Sequence, residues 1–235
     1  MTAMESRPVT TNQHGNHDDL TQVVMRHLRS PFKKPIQEHN REAFEQAAEQ
    51  VAKWQGPVIL DSCCGVGEST AWLAQEHPDA LVIGVDKSAH RLQRHANYQT
   101  SEQGQRYLLV RADLQDFWRL AVEQHWQLSK HYILYPNPWP KAAHLSRRWH
   151  GSPVWPYVLG LGGELVMRSN WVTYLTEVAS SLALVNCAAQ LQPLLAKHAP
   201  ITPFERKYQR SGQQLWQLNA NLPEDGRYFS AIEAE

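Results

Sequence analysis

The sequence predicts an α/β fold: a mostly parallel, twisted sheet with helices on both faces. Short apolar runs alternate with amphipathic stretches along most of the chain. A strand, a glycine turn and a helix follow one another early, in Val58-Ile-Leu-Asp61, Ser-Cys-Cys-Gly65-Val-Gly67-Glu-Ser-Thr70 and the residues beyond. The length, 235 residues, suits one domain of this kind with a tail.

The elements can be placed in order. Helices are predicted near Ile36–Trp54, Ser69–Gln75, Ala89–Tyr98, Leu114–Glu123, Val172–Leu184 and Ala188–Lys197. Strands are predicted at Val58–Asp61, Leu81–Val85, Tyr107–Val110, Tyr132–Tyr135, Glu164–Arg168 and Gln214–Leu218. Met1 to Asp19 is polar and reads as disordered, and Arg26–Ile36, with Pro31 and Pro35, reads as an arm. The chain therefore divides into a flexible N-terminal arm, residues 1–35, and a folded domain, residues 36–235.

Composition narrows the function. Hydrophobic residues make up 42%, ample for a core, yet no run is apolar for the ~18 residues a membrane helix needs. No basic-then-apolar leader opens the chain. Cys63, Cys64 and Cys187 have no metal-ligand spacing, nor have the twelve histidines, so no metal is expected. A reduced cytoplasm fits this cysteine usage. Net charge is +0, which argues against a generic polyanion binder. Basic residues still gather at Arg26–Lys34, at Arg91 and Arg94, at Lys141–Arg148 and at Arg206–Arg210. Any one cluster reads most simply as solvated surface. Lys141–Arg148, beside a strand broken by prolines, points to phosphate contact.

In parallel α/β sheets, ligands bind beyond the carboxyl ends of the strands. Asp61, Asp86, Asp113 and Asn137 all fall at such ends. Glycines 65 and 67 let backbone approach a ligand closely. Asp86 follows the second strand about 20 residues past them, where a ribose-binding carboxylate belongs. Thr70 replaces the third glycine of a dinucleotide fingerprint, and Asp61 would repel a phosphate. This pattern favours S-adenosylmethionine, which is cationic and free of phosphate, over NAD. Asp113 also reads as a cap for the helix at Leu114. Further on, His131-Tyr-Ile-Leu-Tyr135 runs into Pro-Asn-Pro-Trp-Pro-Lys141, then His144 and the pair Arg147-Arg148. A carboxamide, an aromatic ring and cations at a strand end suit a flat base next to phosphate.

Together these residues resemble the tRNA (guanine-N7)-methyltransferase family, from about Val58 to the Gln213–Leu218 strand. Pro-Asn-Pro-Trp-Pro-Lys with its downstream Arg pair is similar to that family's Pro-Asp-Pro-Trp-x-Lys signature. Met167-Arg-Ser-Asn170-Trp171 after Gly162-Gly163 looks like its Thr-Asp segment. Thr202-Pro-Phe-Glu205-Arg-Lys207 looks like its Thr-x-Phe/Tyr-Glu-x-Lys/Arg motif. The resemblance implies a Rossmann-like class I methyltransferase and methyl transfer from S-adenosylmethionine to guanine N7 in the variable loop of tRNA. It implies that Asp61, Cys63, Gly65, Gly67, Asp86, Asp113 and Asn137 hold the cofactor. Asn137 is the expected catalytic residue, and Lys141, Arg147, Asn170, Thr202 and Glu205 hold the nucleotide. Thr202 and Glu205 also read as a helix-start pair. Three positions depart from the family. Cys63 stands where a loop glycine is usual, and Asn137 and Asn170 stand where aspartates face the base. The carboxamides keep two alternatives open: methylation of an exocyclic amine, and a degenerate member that binds RNA or a protein partner.

Overall fold

A computed structural model describes residues 6–95, 107–195 and 198–223. Seven strands form one sheet: β1 (Val58–Ser62), β2 (Leu81–Val85), β3 (Tyr107–Val110), β4 (Lys130–Leu134), β5 (Gly163–Ser169), β6 (Ala189–Pro193) and β7 (Trp216–Leu222). Their order is β3-β2-β1-β4-β5-β7-β6. The first five run parallel, and β7 is antiparallel to both β5 and β6. The chain leaves β1 towards one edge and returns at β4 to build the other. The crevice between β1 and β4 is thus the topological switch point, where such sheets take their ligands.

Both faces are covered, as the alternation predicts. Along β1, Leu60 joins one core with Ile83, Phe117 and Trp118, while Ile59 joins the opposite core with Leu73, Val82 and Tyr132. This is the two-residue period of a strand buried on both sides. The helices are α1 (Leu20–Leu28), α2 (Glu38–Lys53), α3 (Glu68–Glu76), α4 (Ala89–Leu92), α5 (Leu114–Glu123), α6 (Trp155–Gly160), α7 (Val172–Ala183) and α8 (Pro203–Arg210). Two short 3-10 helices, Ala142–Arg147 and Trp149–Gly151, carry the chain away from β4.

Three expectations are corrected. The helix predicted at Ala188–Lys197 is the edge strand β6, in which Ala189 pairs with Ala220 and Leu191 with Leu218 of β7. Its Ala, Gln and Leu residues favour a helix locally, but pairing on the free edge of β7 overrides that preference, and Pro193 is tolerated at an edge. Residues 196 and 197 of that prediction lie outside the described ones. The helix predicted from Ala89 ends at Leu92, and its last three residues also lie outside the described ones. In the stretch read as a flexible arm, α1 buries Leu20, Val24 and Leu28 in the main core. Residues 6–17 are docked too: the Ser6 N–H donates to Ser211 Oγ at 2.8 Å, and the His17 N–H to Glu177 Oε1 at 2.9 Å.

Candidate active site

Five polar residues stand in a row along the carboxyl edge of the sheet because five parallel strands end there. In spatial order they are Asp113, Asp86, Asp61, Asn137 and Asn170, at or just past β3, β2, β1, β4 and β5. Neighbouring strands lie about 4.8 Å apart, so the row spans roughly four such steps.

The left half of the row is a cradle. Gly65 and Gly67 have φ of +63° and +76°. At Gly67 a Cβ would meet His95 Nδ1 at 2.7 Å and Leu109 at 3.0 Å, so only glycine fits. A Cβ at Gly65 would have nothing closer than 4.0 Å, which leaves open space above the loop. His95 anchors the turn, with Nδ1 3.0 Å from the Val66 carbonyl and Nε2 2.7 Å from the Tyr107 hydroxyl. The Gly65 N–H donates to Asp86 Oδ2 at 3.1 Å, and the Ser88 N–H donates to Oδ1 at 2.8 Å. The half-exposed Arg91 guanidinium also reaches Oδ2, at 2.9 Å. A ribose at Asp86 must therefore displace or share that arginine.

Asp61 is fully buried. Ser69 and Thr70 donate to its Oδ2 at 2.6 and 2.7 Å, whereas its Oδ1 is buried with no partner. Burial raises its pKa to about 6, against the lowering effect of the two hydroxyls and with a smaller push from Asp86. A cation beside this carboxylate would relieve that cost. Burial first, then Asp86 and Asp61, pushes the Cys63 thiol up to about 12, so Cys63 is neutral and contributes shape and backbone. Asp113 caps α5, its Oδ1 accepting from the Gln115 N–H at 2.9 Å, and it still lines a cleft of about 220 Å³ with Lys34, Asn40, Lys87, Arg111 and Asp116. The cap and a place at the cleft thus coexist in one residue.

The right half is a loop held from behind. Asn137 is exposed, and its Oδ1 accepts from the Trp139 N–H at 3.3 Å. Tyr135 and Trp139 on either side take left-handed backbone angles, φ +51° and +43°. Arg147 is exposed and lies over the Trp139 ring at 4.7 Å, and Lys141 is exposed as well. Arg148 is different, and the phosphate contact expected of the whole cluster does not extend to it. It is fully buried, with Nη1 donating to both oxygens of Glu177 at 2.7 and 2.6 Å. Its Nε and Nη2 donate to the Trp139 carbonyl, at 3.2 and 3.1 Å, and Nη2 also reaches the Lys141 carbonyl at 3.2 Å. Arg148 is therefore the strut of the loop.

Glu177 also accepts from His150 Nε2 at 2.9 Å and from Gln13 Nε2 at 2.6 Å. Gln13 accepts from Arg148 Nη2 at 3.0 Å, Thr11 donates to the Pro140 carbonyl at 2.5 Å, and Asn12 accepts from the Ala142 N–H at 3.0 Å. None of this network was visible in sequence, since its partners are far apart in the chain.

Asn170 donates to Gln213 Oε1 at 2.8 Å and is partly exposed at the rim. Of the two readings of Thr202 and Glu205, the geometry realises the helix start. Thr202 Oγ1 accepts from the Glu205 N–H at 3.0 Å. Glu205 is fully buried and accepts from Arg168 at 2.8 Å, His198 at 2.6 Å and the Ile201 N–H at 2.9 Å. Its carboxylate faces inward, so it anchors α8 and presents no face to a ligand in this conformation.

The chain's relatives agree with this architecture. A family model described as "Putative methyltransferase" matches residues 55–218. The tRNA (guanine-N(7)-)-methyltransferase of Treponema pallidum (strain Nichols) is 25% identical over 165 residues, covering 69% of this chain and 66% of that protein. The enzyme of the same description from Pasteurella multocida (strain Pm70) is 25% identical over 196 residues, covering 77% and 73%. The chain thus spans about two thirds of the length of the first of these relatives. Among solved structures, the 16S rRNA methyltransferase KamB superposes with a TM-score of 0.55 at 14% identity, covering 83% of this chain and 99% of that one. A variant of the 16S rRNA (adenine(1408)-N(1))-methyltransferase from Catenulisporales acidiphilia, with cosubstrate SAM, gives 0.54 at 15% identity, covering 76% and 91%. Both share the fold. With its family match running from the approach to β1 into β7, the chain belongs to the family described as "Putative methyltransferase".

Proposed function

We propose that this chain transfers a methyl group from S-adenosylmethionine to N7 of a guanine in tRNA, in the variable loop, and that it works in the cytoplasm. The observation that carries the reading is the row of rim residues: an acidic cradle around Asp61, Gly65 and Asp86 that disfavours phosphate, continued by Asn137, Trp139 and Arg147. The relatives named as tRNA (guanine-N(7)-)-methyltransferases support the acceptor.

The residues present fit the cofactor. The orphaned Oδ1 of Asp61 suits a cationic amino group, the open space over Gly65 suits close approach, and Asp86 can accept from two ribose hydroxyls. When bound, S-adenosylmethionine supplies an electrophilic methyl group. The rest of the chemistry is positioning. Guanine N7 carries a lone pair and no proton, so the site needs alignment rather than a strong base, and orientation alone can contribute up to ~7–11 kcal/mol. His131 lies beneath the site, but burial lowers its pKa to about 3 and it stays neutral inside the core. Asn137 can accept from guanine N1–H while donating to O6. Trp139, braced on Arg148, gives a flat wall, and Arg147 and Lys141 stand where phosphate would pass. No helix among the described residues is long and apolar enough to cross a membrane. Among them, no cluster of three or more His, Cys, Asp or Glu could hold a metal ion.

Labelled cofactor, bulk tRNA and nucleoside mass spectrometry test this. The expected product is 7-methylguanosine, and Asn137→Asp should preserve or raise the rate, because charge-assisted bonds to the guanine donors are roughly twice as strong as neutral ones. Product at an adenine amino group, lost in Asn137→Asp, would establish the exocyclic-amine alternative instead. An inert wild type, revived only by Asn137→Asp with Asn170→Asp, would establish the degenerate one.

A further inference from the structure

We propose that the outward face of α8 is a second nucleobase site, on which Phe204 stacks a nucleotide next to the one being methylated. This rests on RNA being the acceptor. Phe204 is 48% exposed, and only one other large apolar side chain among the described residues, Leu195, is as open to water. It is not an isolated ring. It stacks on Tyr208 at 6.2 Å with an interplanar angle of 27°, and Tyr208 packs on Tyr135 at 5.6 Å. Tyr135 directly follows β4, two residues before Asn137. The three rings thus form a ladder from the mouth of the site to the solvent.

The ladder is held rigidly. Thr202 caps α8, the buried Glu205 bonds to Arg168 and to the Ile201 N–H, and Arg206 pairs with Glu68 at the start of α3. A single turn of helix therefore fixes the height of Phe204 relative to both the glycine cradle and the Asn137 loop. Positions 204, 207 and 208 share one helix face, so the exposed Lys207 stands beside the ring. α8 carries Arg206, Lys207 and Arg210 against one acid, the buried Glu205. An exposed ring with the exposed Lys207 beside it suits a base with its phosphate.

Chemistry gives the face a reason. A base drawn out of its stack to reach Asn137 leaves its neighbour with a bare face. A rigid aromatic ring at the rim covers that face whatever the neighbour's identity, since every base has a π-face.

Two assays run side by side test this. In the first, KM for tRNA is measured for wild type, Phe204→Ala, Phe204→Leu and Phe204→Trp. Ala and Leu should raise KM roughly tenfold, the scale of one lost stack, while Trp keeps it near wild type and cofactor Kd and melting temperature stay unchanged. In the second, quenching of 2-aminopurine in a short single-stranded oligonucleotide reads stacking directly, with or without methyl transfer. Quenching by wild type and Phe204→Trp, lost in Ala and Leu, supports the site. Equal quenching in wild type and Phe204→Ala, or a Leu variant as good as Phe, overturns it. A wild type that quenches normally but leaves tRNA unmethylated would overturn the proposed function and leave the stacking site standing.

Discussion

The two halves of the rim are built by different means. On the half proposed for the cofactor most side-chain ties are short. Asp86 bonds to Ser88 two residues on and to Gly65 21 residues back, and Asp113 to Gln115 two residues on, with one longer tie from the Asp113 N–H to Asn40 Oδ1 across 73 residues. On the acceptor half the loop at Asn137 is fixed from a distance. Arg148 reaches Glu177 across 29 residues, and Thr11, Asn12 and Gln13 reach Pro140, Ala142 and Arg148 across 129, 130 and 135. The first half is a local motif that folds with its strands. The second exists only once the sheet, α7 and the N-terminal segment have come together. The geometry of the first half is therefore written mostly into short stretches of chain, whereas the shape of the loop at Asn137 depends on the whole fold.

The largest effect should come from the buried pair that holds the acceptor half. Removing one partner of such a pair leaves an uncompensated charge and costs about 3–5 kcal/mol. Glu177→Gln should lower stability to urea by this order, and Asp86→Ala by less, about 1–3 kcal/mol for the donors it leaves unmet. The sign with pH is definite. Burial alone would raise the Glu177 pKa, but bonds and charges from His150 and Arg148 outweigh it and bring it to about 2, below its usual 4.5. A depressed carboxylate stabilises the fold above its unfolded pKa and ceases to as pH falls through the folded one. The gap between wild type and Glu177→Gln should thus be full at pH 7 and shrink between about pH 4.5 and 2. A gap constant across that window would show that the pair is not what holds the loop.

The next effect belongs to the cofactor half. Asp86→Ala should weaken S-adenosylmethionine binding by about 1–3 kcal/mol, the cost of hydrogen bonds left unmade, with NAD bound by neither protein. The opposing term is Arg91, which must let go of Asp86. Calorimetry showing unchanged affinity in Asp86→Ala would mean that the glycine cradle alone selects the ligand and that the two halves are less distinct than their geometry implies.

This contrast also explains what the sequence could and could not disclose. β1, β2, β3 and α5 were legible because apolar runs and caps are local, and Asp61, Asp86 and Asp113 followed from the rule that ligands meet strand ends. Asn137 was legible because three prolines mark the break. β6 was not, since its residues favour helix and only the free edge of β7 makes them a strand. α6 was missed because Trp155–Gly160 is almost wholly buried and shows no amphipathic period. Arg148 shared every local feature with Arg147, yet one is fully buried and the other exposed. Nothing in Arg-Arg tells which will find a glutamate 29 residues away. Glu205 likewise matched a binding motif, and only the fold shows its carboxylate spent on Arg168, His198 and a backbone N–H.

The smallest effect separates those two arginines. Arg147 lies over Trp139 in water, where such a contact is worth about 0.5–1 kcal/mol. Replacing it with Ala should leave the melting temperature unchanged and weaken tRNA binding modestly. It should also flatten the dependence of log K on log salt by about one unit if Arg147 neutralises one phosphate. Arg148→Ala should do the reverse: it removes no exposed charge, so any loss of RNA affinity comes with a loss of stability through the loop it braces. Filter binding across a salt series, run beside thermal melts of both variants, distinguishes the two roles. A salt slope that falls in Arg148→Ala and holds in Arg147→Ala would place the phosphate on the buried residue. The docked N-terminal residues and the loop would then have to open when RNA binds.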